Sequence, residues 1–568
     1  MTATSPAAIE RFAHSRGPFA RSSFPGRRCS RRLHRLAAAL AAAIAMRAHA
    51  TAAQGVGGSP VMILGGDADD RLRIGQLLGQ PTTGVVLIRS TSRLVPVADS
   101  SLQQNLRLGL PEVRAVRNSG LPFSMNDGPL WAGRGWNESV TASAFWRENG
   151  VTIIFAPTFV SSSNEAFQVI PYRQDGQAIP PRNVWANPFH PLPESIDLPL
   201  RFGDRSRQSF SLGQSSVTYN AGGAALGVAT ENLWWGPGIQ NAITLSNNAA
   251  GFPHLFVQTR QPLHTRAGTF DAQWIVGELT ESNFFDSNPS NDHRSLAGVA
   301  ATWTTPFDSA LTLGFARLVM GAQQDGSFPL GAAFDVLRSA GHLNVDTSAA
   351  VPPDARDQIT SFFARWLLPG FEAYVEWARF EEPTSLQDFL EYPAHSEGYT
   401  LGFQWAHDMS AGRAFRLQSE ASYMEPDPSL RLRPTAVTYT SRAVPQGFTQ
   451  EGQMLGAAIG PGASSQWLAG DVVAQKWRLG SYLGRIRWDN GTFEEPIVPF
   501  FKRQDVSLFA GLRAGASWHD VNLLVDFTHA ARFNYLFQTY TVPNSAQTKG
   551  IDLINNTLSV TLSTTRIR

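Results

Sequence analysis

Residues 399–423 read YTLGFQWAHDMSAGRAFRLQSEASY, and their period of two decides the fold class. Tyr399, Leu401, Phe403 and Trp405 alternate with Thr400, Gly402, Gln404 and Ala406. After a tight connection over Asp408–Gly412, Phe415, Leu417, Ala421 and Tyr423 alternate with Arg416, Gln418, Glu420 and Ser422. Successive side chains of a strand point to opposite faces, so this spacing predicts a long hairpin with one apolar and one polar face. The pattern returns near the C-terminus, where Leu508, Ala510, Leu512, Ala514 and Trp518 lead across His519-Asp520 into Val521, Leu523, Val525 and Phe527. Asn522, Asp526 and Thr528 face the other way. Asn149-Gly150, a dipeptide favoured in type I′ turns, joins a third pair of runs, Thr141–Trp146 and Val151–Val160.

A soluble β-sandwich shows the same alternation. Three features favour a barrel in lipid instead. The runs are 8–11 residues long, as a tilted membrane-crossing strand requires; Tyr399, Trp405, Tyr423 and Trp518 close them as an interfacial girdle would; and no composition break divides residues 136–568. At about 24 residues per strand with its connection, those residues make about 18 strands, an even number such as single-chain barrels favour. The sequence therefore predicts an all-β fold, a transmembrane antiparallel β-barrel of the bacterial outer membrane over 136–568. Residues 51–135 read as a periplasmic or plugging region. Within it, DADDRLRIGQLLGQ (67–80) predicts a short helix over 67–79, with Asp in the first turn, Ile74, Leu77 and Leu78 on one face, and Gly79 and Pro81 as the stop. Irregular stretches at 281–293, 321–358 and 424–455 exceed hairpin turns and read as external loops.

The rest of the composition narrows the class. Of 568 residues, 16% are charged and 11% aromatic, with 49 Gly and 36 Pro, which argues against disorder and coiled coil. The net charge of +1 hides an asymmetry, since residues 1–50 carry nine Arg against Glu10 while the rest of the chain holds 38 basic and 45 acidic residues. An acidic remainder argues against a nucleic-acid partner. Arg27, Arg28, Arg31, Arg32 and Arg35 precede an apolar run from Leu36 to Ala45, then Ala48-His49-Ala50, the pattern of a signal peptide over 1–50. A helix of that run rises only about 15 Å against a hydrocarbon core of about 30 Å, so it is too short for an anchor. Cys29, the only cysteine, falls inside this segment. No later segment supplies 18 consecutive apolar residues, which leaves strands as the means of crossing a membrane.

The densest motif lies at 231–253: ENLWWGPG (231–238), LSNNA (245–249) and Phe252-Pro253. A polysaccharide site needs aromatic faces for sugar rings and amide or carboxylate groups for hydroxyls. Trp234, Trp235, Asn247 and Asn248 supply those types and are the candidate ligand-binding residues. Gly236, Pro237 and Gly238 form a turn, and tryptophans beside a turn most often wedge it into a barrel interior. Leu245, Ser246 and Ala249 complete this structural frame. The wedge is favoured for Trp235; Trp234 stays open between wedge and glycan platform, and Asn247-Asn248 between turn, hydrogen-bond ladder and glycan contact.

With Trp-Trp-Gly-Pro shortly before Leu-Ser-Asn-Asn-Ala, the sequence resembles the Wzi family of outer-membrane capsule-assembly proteins. The stretch from Asp70 to Leu78 ahead of Arg89 and Arg93, and RFNYLF (532–537) before the final strands, are similar to family patterns as well. The resemblance implies an outer-membrane barrel of about 18 strands that acts as a lectin, binding capsular or extracellular polysaccharide and helping to attach it at the cell surface. Its partners would be that polysaccharide and outer-membrane lipid. The sequence departs from the family in showing one short helix where better-known members carry a helical bundle, and in ending Thr564-Thr565-Arg566-Ile567-Arg568 rather than on an aromatic residue. Leu558, Val560 and Leu562 still alternate, as a closing strand should.

Two other function classes remain, a porin or transport channel and, less favoured, an outer-membrane or secreted hydrolase. No catalytic residues are nominated: there is no Gly-x-Ser-x-Gly elbow, no His-Glu-x-x-His, no phosphate-binding loop, and no histidine spacing suited to a metal. Glu372 and Glu376 would stand about 13 Å apart along a strand, beyond either glycosidase geometry, and read as lumen charge. The chain is read as a non-enzyme without cofactor or metal.

Overall fold

The computed structural model describes residues 64–80, 87–94, 106–169 and, with short interruptions, 185–564. The export segment expected at 1–50 lies outside them. Among the described residues, eighteen antiparallel strands close into one barrel. They are β1 (Leu106–Asn118), β2 (Gly135–Glu148), β3 (Val151–Phe155 and Thr158–Ser162), β4 (Arg207–Ser211 and Ser216–Ala221), β5 (Ala224–Ala229), β6 (His254–Thr259), β7 (Gly268–Thr280), β8 (His293–Thr304) and β9 (Leu311–Ala322). There follow β10 (Arg356–Leu368), β11 (Phe371–Arg379), β12 (Glu397–Met409), β13 (Arg413–Tyr423), β14 (Ser464–Ala474), β15 (Trp477–Trp488), β16 (Asp505–Trp518), β17 (Val521–Phe533) and β18 (Leu553–Thr564). Pro157, with no N–H to give the ladder, stands at the break in β3.

The opening hairpin is β12–β13, paired Tyr399↔Tyr423 through Trp405↔Leu417. Its polar face is the buried one: Thr400, Gln404 and Arg416 are fully enclosed and Gln418, Glu420 and Ser422 nearly so, while Leu401, Phe403 and Trp405 lie 37–47% exposed. β16 and β17 repeat this, with Leu508, Leu512 and Phe527 outward and Ser507 and Thr528 buried. A sandwich in water would bury the other face, so this inversion separates a lipid-facing barrel from the soluble alternative. No helix among the described residues is long and apolar enough to cross a membrane.

The barrel begins at Leu106, not at 136. β1 pairs with β2 on one side and with β18 on the other, Val113↔Leu562 among the contacts, and so closes the cylinder. Pro111 and a register shift between Gly109 and Glu112 interrupt its alternation, which is why the sequence hides it. The C-terminal strand does close the sheet, Leu558 opposite Phe527. Asn149 and Gly150 turn β2 into β3 with φ of 48° and 83°.

Short turns join the strands at one end and long connections at the other. In barrels of this class the short-turn end is periplasmic. The lumen is filled from both ends. From the short-turn end enters α1 (Asp67–Leu77), whose last carbonyl accepts the Gly370 N–H at 2.8 Å in the turn between β10 and β11. It stops two residues before the expected 79 because Leu78 is its cap and Gly79 takes φ 72°, a left-handed terminator. Ile88–Ser90 then pairs with Leu233–Trp235 as a two-stranded ribbon inside the barrel.

From the other end, residues 437–463 fold inward. The stretch at 424–455 read as an external loop, yet Tyr439, Phe448, Met454, Leu455 and Ile459 are buried in one core with Ile88, Trp235, Ile243 and Leu245. Wall residues Ile275, Leu296, Leu318 and Ile359 of β7 to β10 complete that core. This part of the lumen is therefore dry and packed rather than water-filled.

Candidate functional site

The 231–253 motif sits at the centre of the plug. Trp235 is fully buried; its indole N–H donates to the Gln273 side chain at 2.8 Å, and its backbone N–H to the Leu245 carbonyl at 3.1 Å. Trp234 is 1% exposed, donates its indole N–H to the Gly238 carbonyl at 3.1 Å, and carries the Arg89 guanidinium over its ring at 4.6 Å. Neither ring offers a face to solvent. Gly236 adopts φ 104°, and a Cβ there would stand 2.5 Å from the Glu376 carboxylate, so only glycine fits. The Pro237 carbonyl accepts from Arg73 at 2.8 Å.

The second half of the motif clamps neighbouring segments. Ser246 donates its hydroxyl to the Gly456 carbonyl at 2.7 Å, Ala249 accepts the Asn232 amide at 2.8 Å, and Leu245 packs into the core. Asn247 donates to the carbonyls of Leu64 and Asn126 at 2.9 and 3.1 Å, and its own carbonyl accepts the Gly128 N–H at 2.8 Å. Asn248, part-buried, accepts the Asn126 N–H at 3.0 Å and donates to the Met454 carbonyl at 3.3 Å. The two asparagines thus bind the segment between β1 and β2 to the plug.

A charged web ties the plug to the wall. Arg416 of β13 forks onto Asp70 of α1 at 2.6 and 2.9 Å and also reaches Asp471 at 2.9 Å; Arg478 bridges Asp67 and Asp70, and Arg513 joins Asp471. Burial alone would raise the Asp70 carboxyl, but Arg416 and Arg478 outweigh it and hold it well below the usual carboxylate range. Glu372 takes Arg73 and Arg365, so this carboxylate is an ion-pair partner. Glu420 accepts the N–H groups of Ile239 and Asn241 and the Tyr374 hydroxyl. In the plug, Glu231 accepts both donors of Ser92; burial pushes its carboxyl up to about 7 despite Ser92, Ser90 and Arg93.

At the long-loop end a cavity of about 280 Å³ opens between plug and wall. Trp131 and Trp488, both part-exposed, supply aromatic surface, and Asn248, Gln453, Asp489 and Asn555 supply polar groups. Asn248 is the one residue of the predicted ligand set that lines it. Trp131 stands edge-on to Phe202, and Arg532 covers one face of Trp488 while forking onto Asp505. No spacing in the sequence marks these residues, because Trp131, Asn248, Gln453 and Asp489 come from four separate connections and Trp488 and Asn555 from the ends of β15 and β18. The one local cue is Trp488 at a strand end, followed by Asp489-Asn490-Gly491.

A family model described as capsule assembly protein Wzi matches residues 122–470, more than half of the sequence. The chain belongs to the Wzi capsule-assembly family. Its fold is similar to that of Escherichia coli Wzi, an outer-membrane protein involved in group 1 capsule assembly and described as a carbohydrate-binding β-barrel: 12% identity, 89% of this chain and 99% of that one covered, TM-score 0.55. Two Acinetobacter baumannii barrels also match, OccAB4 (7% identity, 83% and 100% covered, TM-score 0.36) and OccAB2 (9%, 80% and 98%, TM-score 0.39). No curated protein sequence matches the chain. Within this Wzi-family barrel the model's match spans β2 through most of β14 and includes the whole of the 231–253 motif.

Proposed function

We infer that this Wzi-family protein is an outer-membrane lectin, exported through its 1–50 segment, that binds capsular or other surface polysaccharide and helps to attach it to the cell. The observation that carries the reading is the cavity at the long-loop end, where Trp131 and Trp488 stand beside Asn248, Gln453 and Asp489. Sugar rings stack their apolar faces on indoles, and their hydroxyls pair with amides and carboxylates. Trp234 and Trp235 act as wedges beneath this site, and Asn247 and Asn248 hold its floor. The reading includes no catalytic step.

The packed lumen supports a lectin over an open porin, since apolar groups fill the space beside β7 to β10. The test compares polysaccharide retained and shed by cells with the gene, without it, and with Trp131→Ala or Trp488→Ala. Each variant should reach the outer membrane and fold as the native barrel does, yet lose about 1–3 kcal/mol of polysaccharide binding, by analogy with aromatic stacking on flat ligands. Unchanged retention without the gene would remove the reading.

A further inference from the structure

Two cavities among the described residues lie one beyond the other, the inner one between the wall and the N-terminal half of α1, whose Asp67, Asp70 and Arg73 line it. The outer is the aromatic vestibule. The inner, about 690 Å³, is walled by Thr528, Ser559, Thr561, Asp526, Tyr482 and Arg513, and it extends to Gln475 and Asn522 at the short-turn end. Phe123 and Met125 line both. The Phe123 ring meets Phe509 edge-on with centroids 5.8 Å apart, and Phe509 meets Tyr482 at 6.4 Å. A single layer of apolar side chains, two of them on the segment between β1 and β2, therefore parts the inner chamber from the vestibule.

That segment is held by no sheet: Leu121, Leu130 and Ala132 anchor its two ends in apolar clusters, and polar contacts hold its middle. Asp127 pairs with Arg114 of β1 at 2.6 Å, Asn126 and Gly128 take φ of 57° and 61°, and the asparagine clamp described above secures them. Two buried acceptors at this point, Oδ1 of Asn126 and Oδ1 of Asn247, receive no hydrogen bond from the protein, and both residues line the inner chamber. Serine and threonine hydroxyls each donate and accept, so the inner wall can exchange its bonds with a ligand of the same kind, and the orphan acceptors call for donors.

We propose that the two cavities form one conduit for the end of a hydroxyl-rich chain, closed at Phe123 and Met125 and opened when the 119–134 segment is released from Arg114. An apolar constriction blocks passage by excluding water, and moving it aside joins the chambers. The ligand class rests on the saccharide reading above; the conduit rests on the geometry alone.

The experiment measures currents of the full-length protein in planar bilayers, native against Phe123→Ala/Met125→Ala and against Asp127→Asn, which keeps the side-chain shape and so carries the test if the double variant misfolds. The native barrel should stay closed, and each folded variant should carry a steady current an order of magnitude larger, reduced by millimolar maltohexaose. Folded variants with currents no larger than native would overturn the conduit. Currents indifferent to maltohexaose would overturn its assignment to a hydroxyl-rich chain. Conducting variants of a native protein that retains no polysaccharide would leave the conduit standing and remove the lectin reading instead.

Discussion

Trp235 has no exposed surface and spends its indole N–H on Gln273, so its loss leaves both a cavity and an unpaired amide. Trp235→Ala should cost about 3–5 kcal/mol and lower the barrel's melting temperature, with polysaccharide binding falling only as folding falls. A Trp235→Ala barrel of native melting temperature with no binding would reverse the assignment. Gly236→Ala should destabilise too, because its φ and the nearby Glu376 carboxylate both exclude a Cβ. In the web, Asp471 is fully buried against Arg416, Arg478 and Arg513. Asp471→Asn leaves those cations undercompensated, at a cost of about 3–5 kcal/mol that a denaturant midpoint would read.

At the scale of elements, the long-loop end should respond to pH. Glu281, between β7 and β8, accepts the Gln446 amide and so anchors the inward-folded segment. Burial first, then Asp286 and Asp197, raises its carboxyl from 4.5 to about 8. The folded state thus keeps a proton that the released state gives up. This contribution to stability is fully present below pH 4.5 and is lost as pH rises through about 8. Protection against hydrogen exchange at residues 446–450, taken relative to the intrinsic rate at each pH, should fall over that interval, and Glu281→Gln should abolish the fall.

The elements also divide by legibility. β12, β13, β16 and β17 were readable because each holds an unbroken period of two against lipid. β1 was not, since Pro111 and a bulge erase its period. The inward course of 437–463 left no trace because Gly, Pro, Thr and Ser without periodicity read the same whether a segment faces water or a lumen. The Trp-Trp motif was legible as chemistry, while its burial depends on partners such as Gln273 and Leu455 that lie far along the chain.

At the scale of the molecule, a closed antiparallel cylinder should migrate differently on detergent gels before and after boiling, and recovery as a soluble protein without detergent would contradict the barrel in lipid. The whole architecture also constrains how it is built. Because β7 to β10 present apolar side chains inward as well as outward, an empty cylinder would carry a greasy inner wall with nothing to cover it. Replacing 437–463 with a short turn should therefore yield no heat-modifiable barrel at all, rather than a leaky one. Filling and closing must be coupled: the inner segment has to seat itself while the sheet is still an open ribbon, before β18 meets β1. The seam that shuts the cylinder joins the first strand of the sheet to the eighteenth, so closure waits until both are in place, and the order of the strands sets the schedule of assembly.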